Sequence, residues 1–215
     1  MPIRIYGRPS SYNVQKVLWL LEAIDVEYNH IKLGGKFGGL ETDAFKKLNP
    51  MQKVPVVVDG GNVVWESNTI LRYLADTYGT GAFKVKDAFE RSKYERWMDW
   101  SQSKFEPAFV GVFWGYYRTP EKLRDLNAIE NSIDSCQDCL KKLDDQLKQK
   151  VFILGDNLSL ADISIGIFIY RLVEVGLNIE LPYYVACWYD NLKNLAAYQK
   201  WVMSDFVELK ARLDY

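Results

Sequence analysis

The sequence predicts a small mixed α/β domain followed by an all-helical domain. Three observations point there. Short β-branched runs alternate with helical patterns as far as Tyr78; a glycine-bearing segment, Gly79-Thr80-Gly81-Ala82, then breaks the pattern; and every apolar repeat beyond it steps by threes and fours. The expected division is residues 1–78, a linker over 79–86, and a helical domain over 87–215. At 215 residues there is room for both, and 48% hydrophobic residues suffice for full cores rather than disorder.

Each element has its own signature. Ile3–Tyr6 reads as a short strand, Gly7-Arg8-Pro9-Ser10-Ser11 as a turn, and from Val14 the positions Val17, Leu18 and Leu21 share a helical face. Tyr28–Ile31 reads as a second strand, Gly34–Gly39 as a flexible loop, and Ala44–Leu48 as about one helical turn. Strands Val54–Val58 and Val63–Trp65 flank Asp59-Gly60-Gly61-Asn62, whose glycines permit the positive φ of a tight hairpin. Pro55 near the head of its strand costs little in ladder hydrogen bonds; were the Val54–Pro55 bond cis, the Val54 backbone would turn outward, open to an extended peptide. Helix Ser67–Tyr78 completes a β-α-β-α-β-β-α order, in which crossover helices imply parallel pairing first and the hairpin adds an antiparallel edge. In the second half, Tyr94, Trp97, Met98, Ser101 and Phe105 form one stripe, and Ile129, Ile133, Cys136, Leu140, Leu143 and Leu147 another. Ile163–Leu172 is apolar nearly all round and belongs at the centre of its domain; Ser159-Leu160-Ala161-Asp162 before it is a capping box, which gives Asp162 a structural role.

Composition excludes several classes of function. A net charge of −1 without a long basic run offers nothing to nucleic acid. No apolar stretch has the length of a membrane span, and Met1-Pro2-Ile3-Arg4-Ile5-Tyr6 enters a strand pattern directly, without a leader. Three cysteines with no disulfide framework suggest a reduced, cytoplasmic protein. Cys136-Gln137-Asp138-Cys139 falls mid-helix, with Cys136 on an apolar stripe; it reads as core packing, not as a redox pair. His30 is too isolated to anchor a metal, and no metal is expected.

Two motifs, in register with the expected strands, carry a resemblance over essentially the whole chain. One is Val54-Pro55 followed at a set distance by Glu66-Ser67 at a helix start; the other is Ser11-Tyr12-Asn13-Val14-Gln15-Lys16-Val17. Together they resemble the cytosolic glutathione transferase superfamily, and in particular its theta- or nu-like bacterial members, which use Ser or Thr rather than Tyr. The resemblance implies a thioredoxin-like first domain that binds glutathione and a helical second domain carrying an electrophile pocket. The chemistry demands such residues. A thiol with an ordinary pKa of about 8.5 is only a few per cent thiolate at neutral pH. A hydroxyl at the mouth of the first helix can donate to the sulfur, with the helix N-terminus adding positive potential.

By the resemblance, Ser11 donates to the sulfur and Asn13 is a second polar contact. Ser10 and Tyr6 are the rivals of Ser11, and plain helix capping is the non-functional reading. Val54, before Pro55, pairs its backbone with the cysteinyl residue; Glu66 accepts the γ-glutamyl ammonium; Ser67 and nearby N–H groups take the γ-glutamyl carboxylate; Gln52 or Lys53 faces the glycyl carboxylate. Trp100, Phe113, Trp114 and Tyr117, with Arg118 as an anion partner, are the candidates for a small hydrophobic electrophile. Phe37 stands where relatives place a polar glutathione contact. The family also implies a homodimer. The activity expected is glutathione transfer. Glutathione-dependent disulfide reduction, peroxidase work or isomerisation are related alternatives, and a binding module on transcription or translation machinery is the non-enzymatic one.

Overall fold

The computed structural model describes residues 2–214, and the chain divides after Lys84 into two compact units, the second spanning Val85–Leu213. The first unit is built on a four-stranded sheet in the order β2-β1-β3-β4. Strand β1 (Ile3–Tyr6) pairs parallel with β2 (Tyr28–Ile31), Ile5 lying opposite His30. It pairs antiparallel with β3 (Val56–Asp59), Ile5 opposite Val57, and β4 (Asn62–Trp65) closes the edge as a hairpin. Parallel pairing needs a crossover. Here it is α1 (Tyr12–Ala23), whose residues from Val14 to Leu21 are all buried.

Helix α2 (Asp43–Leu48) leads into β3, and α3 (Ser67–Tyr78) buries Ile70, Leu71, Leu74 and Ala75. Strand β3 begins two residues later than the expected Val54–Val58. Pro55 has no N–H to give the ladder, and the partner register ends at Tyr6 opposite Val56. The Val54–Pro55 bond is cis. At the far end of β3, Asp59 Oδ2 accepts from the hydroxyls of Tyr73 (2.7 Å) and Tyr78 (2.6 Å), tying the hairpin to α3.

The second unit is helical. Helix α4 (Ala88–Trp100) is capped by Asp87, which accepts from the Glu90 N–H at 2.9 Å. A wide π turn over Ser101–Phe105 continues it into α5 (Glu106–Val112), and a second π turn comes next over Phe113–Arg118. Pro107, early in α5, cannot donate to the preceding turn. Helix α6 (Leu126–Leu147) packs closely on this segment because Gly111 and Gly115 present no side chain: a Cβ on Gly111 would strike Ser132, and one on Gly115 would press on Ile129.

Helix α7 (Leu160–Glu174) is the buried centre, as its all-round apolarity predicts. At its start the fully buried Asp162 accepts from Ser159 N–H (2.9 Å), Ser159 Oγ (2.6 Å), Ile153 N–H (2.8 Å) and Trp188 Nε1 (3.0 Å). Burial pushes its pKa up against those four donors, and every bond it makes is structural. Helix α8 (Tyr183–Lys193) takes its N-terminal cap from α6, since Asp144 Oδ1 accepts the N–H groups of Tyr184 (2.7 Å) and Val185 (3.1 Å). Helix α9 (Ala196–Trp201) comes after it.

Candidate functional site

The turn from β1 into α1 is set by Gly7. Its φ is +156°, and a side chain there would run into Val14 and crowd Val54 at 3.2 Å, so the turn and the Val54 loop are packed as one piece. His30 pins the same turn by donating from Nε2 to the Gly7 carbonyl at 2.8 Å, which places the proton of the neutral ring on Nε2. Burial holds the His30 pKa below its ordinary value of 6.5.

Ser11 is the N-cap of α1, and its carbonyl accepts the first helical bond, from Gln15 N–H at 2.9 Å. Its hydroxyl makes no capping bond. The rival Ser10 is buried one residue outside the helix. Tyr6 lies with its ring 6.4 Å from that of Phe45, packed toward α2. Asn13, two residues into the helix, accepts at Oδ1 from the Ser67 hydroxyl at 3.0 Å, joining the starts of α1 and α3.

Glu66 and Ser67 form that second helix start. Glu66 holds φ +69° and ψ 118°, a conformation rare for a residue with a side chain, which turns the chain from β4 into α3. As N-cap it makes no side-chain capping bond, and its exposed carboxylate has no partner among the described residues. Ser67, 8% exposed, is the first helical residue. The first N–H groups of a helix have no partner within it and favour an anion.

The loop before β3 is folded around Asn49, a residue that no sequence motif singles out. Buried at 2% exposure, Asn49 donates from Nδ2 to the Lys53 carbonyl (2.9 Å) and accepts at Oδ1 from Met51 N–H (3.0 Å). The only hint in sequence is an Asn-Pro step ending a helix. The loop holds Gln52 at φ +52° and leaves the side chains of Gln52 and Lys53 exposed. The Val54 backbone N–H and C=O have no hydrogen-bond partner among the described residues. The exposed Phe37 ring lies under the ammonium groups of Lys32 (5.9 Å) and Lys36 (5.4 Å).

The five aromatic-pocket candidates lie at the end of α4 and in the second π turn. Trp100 stacks on Phe105 at 6.0 Å and lines a groove of about 440 Å³ with Ser103, Lys104 and the α6 residues Ser135, Asp138, Cys139 and Lys142. Phe113, 1% exposed, stands in a stacked column between Phe109 (5.4 Å) and Tyr117 (5.3 Å). Arg118 lays its guanidinium 3.7 Å from the centre of the Trp114 ring and donates from Nε to the Arg212 carbonyl at 2.9 Å. Cys136 and Cys139 are buried on α6, and burial pushes the Cys136 thiol up to about 12 and the Cys139 thiol up as well. Among the described residues no cluster of metal-ligating side chains occurs, and no helix is long and apolar enough to cross a membrane.

Fold and site together define a two-domain protein of the thioredoxin-like-plus-helical class, with two adjacent helix starts and an open backbone segment in the sheet unit. The family model for the glutathione S-transferase N-terminal domain matches residues 1–76, and that for the C-terminal domain matches residues 127–198. Glutathione S-transferase GstB of Escherichia coli K12 is 36% identical over 203 residues, spanning 94% of this chain and 98% of that protein. The theta class glutathione S-transferase from the citrus canker pathogen Xanthomonas axonopodis pv. citri, solved with glutathione bound, superposes with a TM-score of 0.87 at 40% identity, over 95% of this chain and 99% of that one. A delta-class glutathione transferase from Nilaparvata lugens superposes with a TM-score of 0.81 at 30% identity, over 93% and 92% of the two chains. The chain belongs to the glutathione S-transferase family.

Proposed function

We propose that this protein is a glutathione transferase, which binds glutathione on its sheet unit and activates the thiol for attack on a small hydrophobic electrophile. The observation that carries the reading is Ser11: a hydroxyl at a helix mouth that makes no capping bond. It donates to the sulfur, and the α1 N-terminus adds positive potential. Lowering the thiol pKa by about two units from its ordinary value is a stabilisation of about 2.7 kcal/mol and makes most of the bound thiol reactive at neutral pH.

The other assignments rest on the geometry of the sheet unit. The open Val54 backbone pairs with the cysteinyl residue, and the free Glu66 carboxylate takes the γ-glutamyl ammonium. The N–H groups at the start of α3, with Ser67, take the γ-glutamyl carboxylate. Gln52 and Lys53, on the loop held by Asn49, face the glycyl carboxylate. For the electrophile, Trp114, Tyr117 and Arg118 are the candidates, with Phe113 backing them in its column. Trp100, which lines a groove with α6 residues, is a further candidate. We place the enzyme in the cytoplasm, in detoxification, as a homodimer.

Ultraviolet thiolate absorbance of bound glutathione against pH tests the mechanism. Ser11→Ala should raise the midpoint and lower turnover with modest change in affinity. An unchanged titration, with the loss appearing in Ser10→Ala or Tyr6→Phe, would transfer the role. Light scattering at micromolar concentration should give twice the chain mass, and a clean monomer that binds glutathione would remove the dimer alone.

A further inference from the structure

We infer that Asn49 is a positioning residue for the thiol peptide: acting through one peptide plane, it aims the Val54 N–H at the cysteinyl carbonyl. This rests on the glutathione site proposed above. Asn49 is the C-cap of α2 and is 2% exposed, so its polar groups must find partners inside the protein. All four do. Its N–H donates to the Phe45 carbonyl (2.9 Å), and its carbonyl accepts from Gln52 N–H (3.0 Å). Its Oδ1 accepts from Met51 N–H (3.0 Å), and its Nδ2 donates to the Lys53 carbonyl (2.9 Å). One residue thus holds 51, 52 and 53 in turn, the whole span between Pro50 and Val54.

The bond to Lys53 does more than close a turn. An Asn side chain bonded to the backbone two residues on is an ordinary Asx turn and explains Met51. The Nδ2 bond reaches four residues on and fixes the direction of a carbonyl. A trans peptide is planar, with its C=O and N–H pointing in opposite directions. The Lys53–Val54 peptide is trans. With the Lys53 carbonyl drawn inward to the buried Asn49, the Val54 N–H in the same plane points away from it. That N–H has no partner among the described residues, and it is the donor a cysteinyl carbonyl requires.

Gln52 shows why the loop needs this hold. It sits at φ +52°, a region that a residue with a side chain enters only at a cost. Such a conformation persists where its surroundings over-determine it, and here the Asn49 carboxamide binds the residue on either side. Without the carboxamide Gln52 relaxes to negative φ, the plane between Lys53 and Val54 turns with it, and the Val54 N–H loses its aim. The γ-glutamyl subsite is built at the start of α3 instead and keeps its shape.

The test compares glutathione with γ-glutamylcysteamine, which keeps the γ-glutamyl group and the thiol but lacks the cysteinyl carbonyl and the glycyl residue. Calorimetric titration of the whole protein reads both affinities. In Asn49→Ala the Kd of glutathione should rise about three- to tenfold, the worth of one hydrogen bond, while that of γ-glutamylcysteamine stays nearly unchanged. Asn49→Asp serves if the first variant does not fold. It is isosteric, keeps the acceptor for Met51 N–H, and replaces only the donor, setting an ionised oxygen against the Lys53 carbonyl. It should show the same selective loss. Equal weakening of the two ligands is what a merely structural Asn49 would give, and it overturns the inference. So does unchanged affinity for both ligands in a folded variant. If the unmodified protein binds neither ligand, the glutathione site itself falls, and the inference with it.

Discussion

A serine or carboxylate at a helix N-cap ordinarily turns its side-chain oxygen onto the first N–H groups, as Asp87 and Asp125 do here at 2.9 and 3.0 Å. Ser11 and Glu66 hold the same position and do not. A polar group in a capping position that leaves its capping bond unmade is available to a ligand, and both examples lie in the sheet unit at adjacent helix starts. The cysteines are the reverse case. Cys136 and Cys139 are buried in α6 with thiols pushed upward, so neither supplies a thiolate at neutral pH. A triple variant replacing Cys136, Cys139 and Cys187 with Ala or Ser should keep its glutathione-dependent conjugation rate, with a modest fall in Tm from lost packing. If the folded variant were inactive while Ser11→Ala was not, a protein thiol would have to replace Ser11 in the mechanism.

At the scale of elements, the start of α3 sets stability against binding. Glu66 at φ +69° carries backbone strain that glycine would not. Relief of about 1–3 kcal/mol exceeds the entropic cost of a glycine, about 0.5–1 kcal/mol. Glu66→Gly should therefore unfold at higher denaturant or temperature than the unmodified protein. Calorimetry should show glutathione binding weakened by about 1.5–3 kcal/mol, the worth of a hydrogen bond to a charged group. A variant that lost stability as well would contradict the strain argument. The extents of β1, β2 and α3 were legible because apolar spacing and hairpin glycines specify them directly. The π turns of the segment carrying the aromatic candidates were not. Two π turns interrupt the segment from α4 to Arg118, and each widens the helix by about a residue and rotates the residues beyond it relative to an unbroken α-helical count. Trp100 before the first turn lines a groove with α6, while Phe113 and Tyr117 in the second are buried and stacked on each other. Nor could sequence show Asn13 meeting Ser67 or Asn49 holding Lys53, since each depends on where a loop or helix start is carried by the fold.

For the molecule as a whole, His30 links acid stability to the site. Its folded pKa lies below the unfolded value of 6.5, so the unfolded chain takes up the proton first. The contribution of His30 is complete above pH 6.5 and is lost as pH falls from there toward the depressed folded value. The denaturant midpoint should decline across that window, and His30→Gln, which keeps a neutral donor for the Gly7 carbonyl, should remove that part of the decline. An identical profile in the variant would show that protonation of His30 does not oppose folding. The cost lies in charging a partly buried ring, since the imidazolium still donates from Nε2 to the Gly7 carbonyl.

The carboxylate that α6 lends to α8 has a consequence for stability. Pro182, at the N-cap of α8, has no side chain with which to cap the helix, and the groups that need capping wait for Asp144, 40 and 41 residues earlier in the chain. A short helix whose start is completed only by a distant partner gains little from forming alone, because nucleation is the costly step. Asp144→Ala should therefore lower the stability of the helical unit by about 1 kcal/mol, the usual worth of a helix cap, and an unchanged denaturant midpoint would show that the lent carboxylate does not matter.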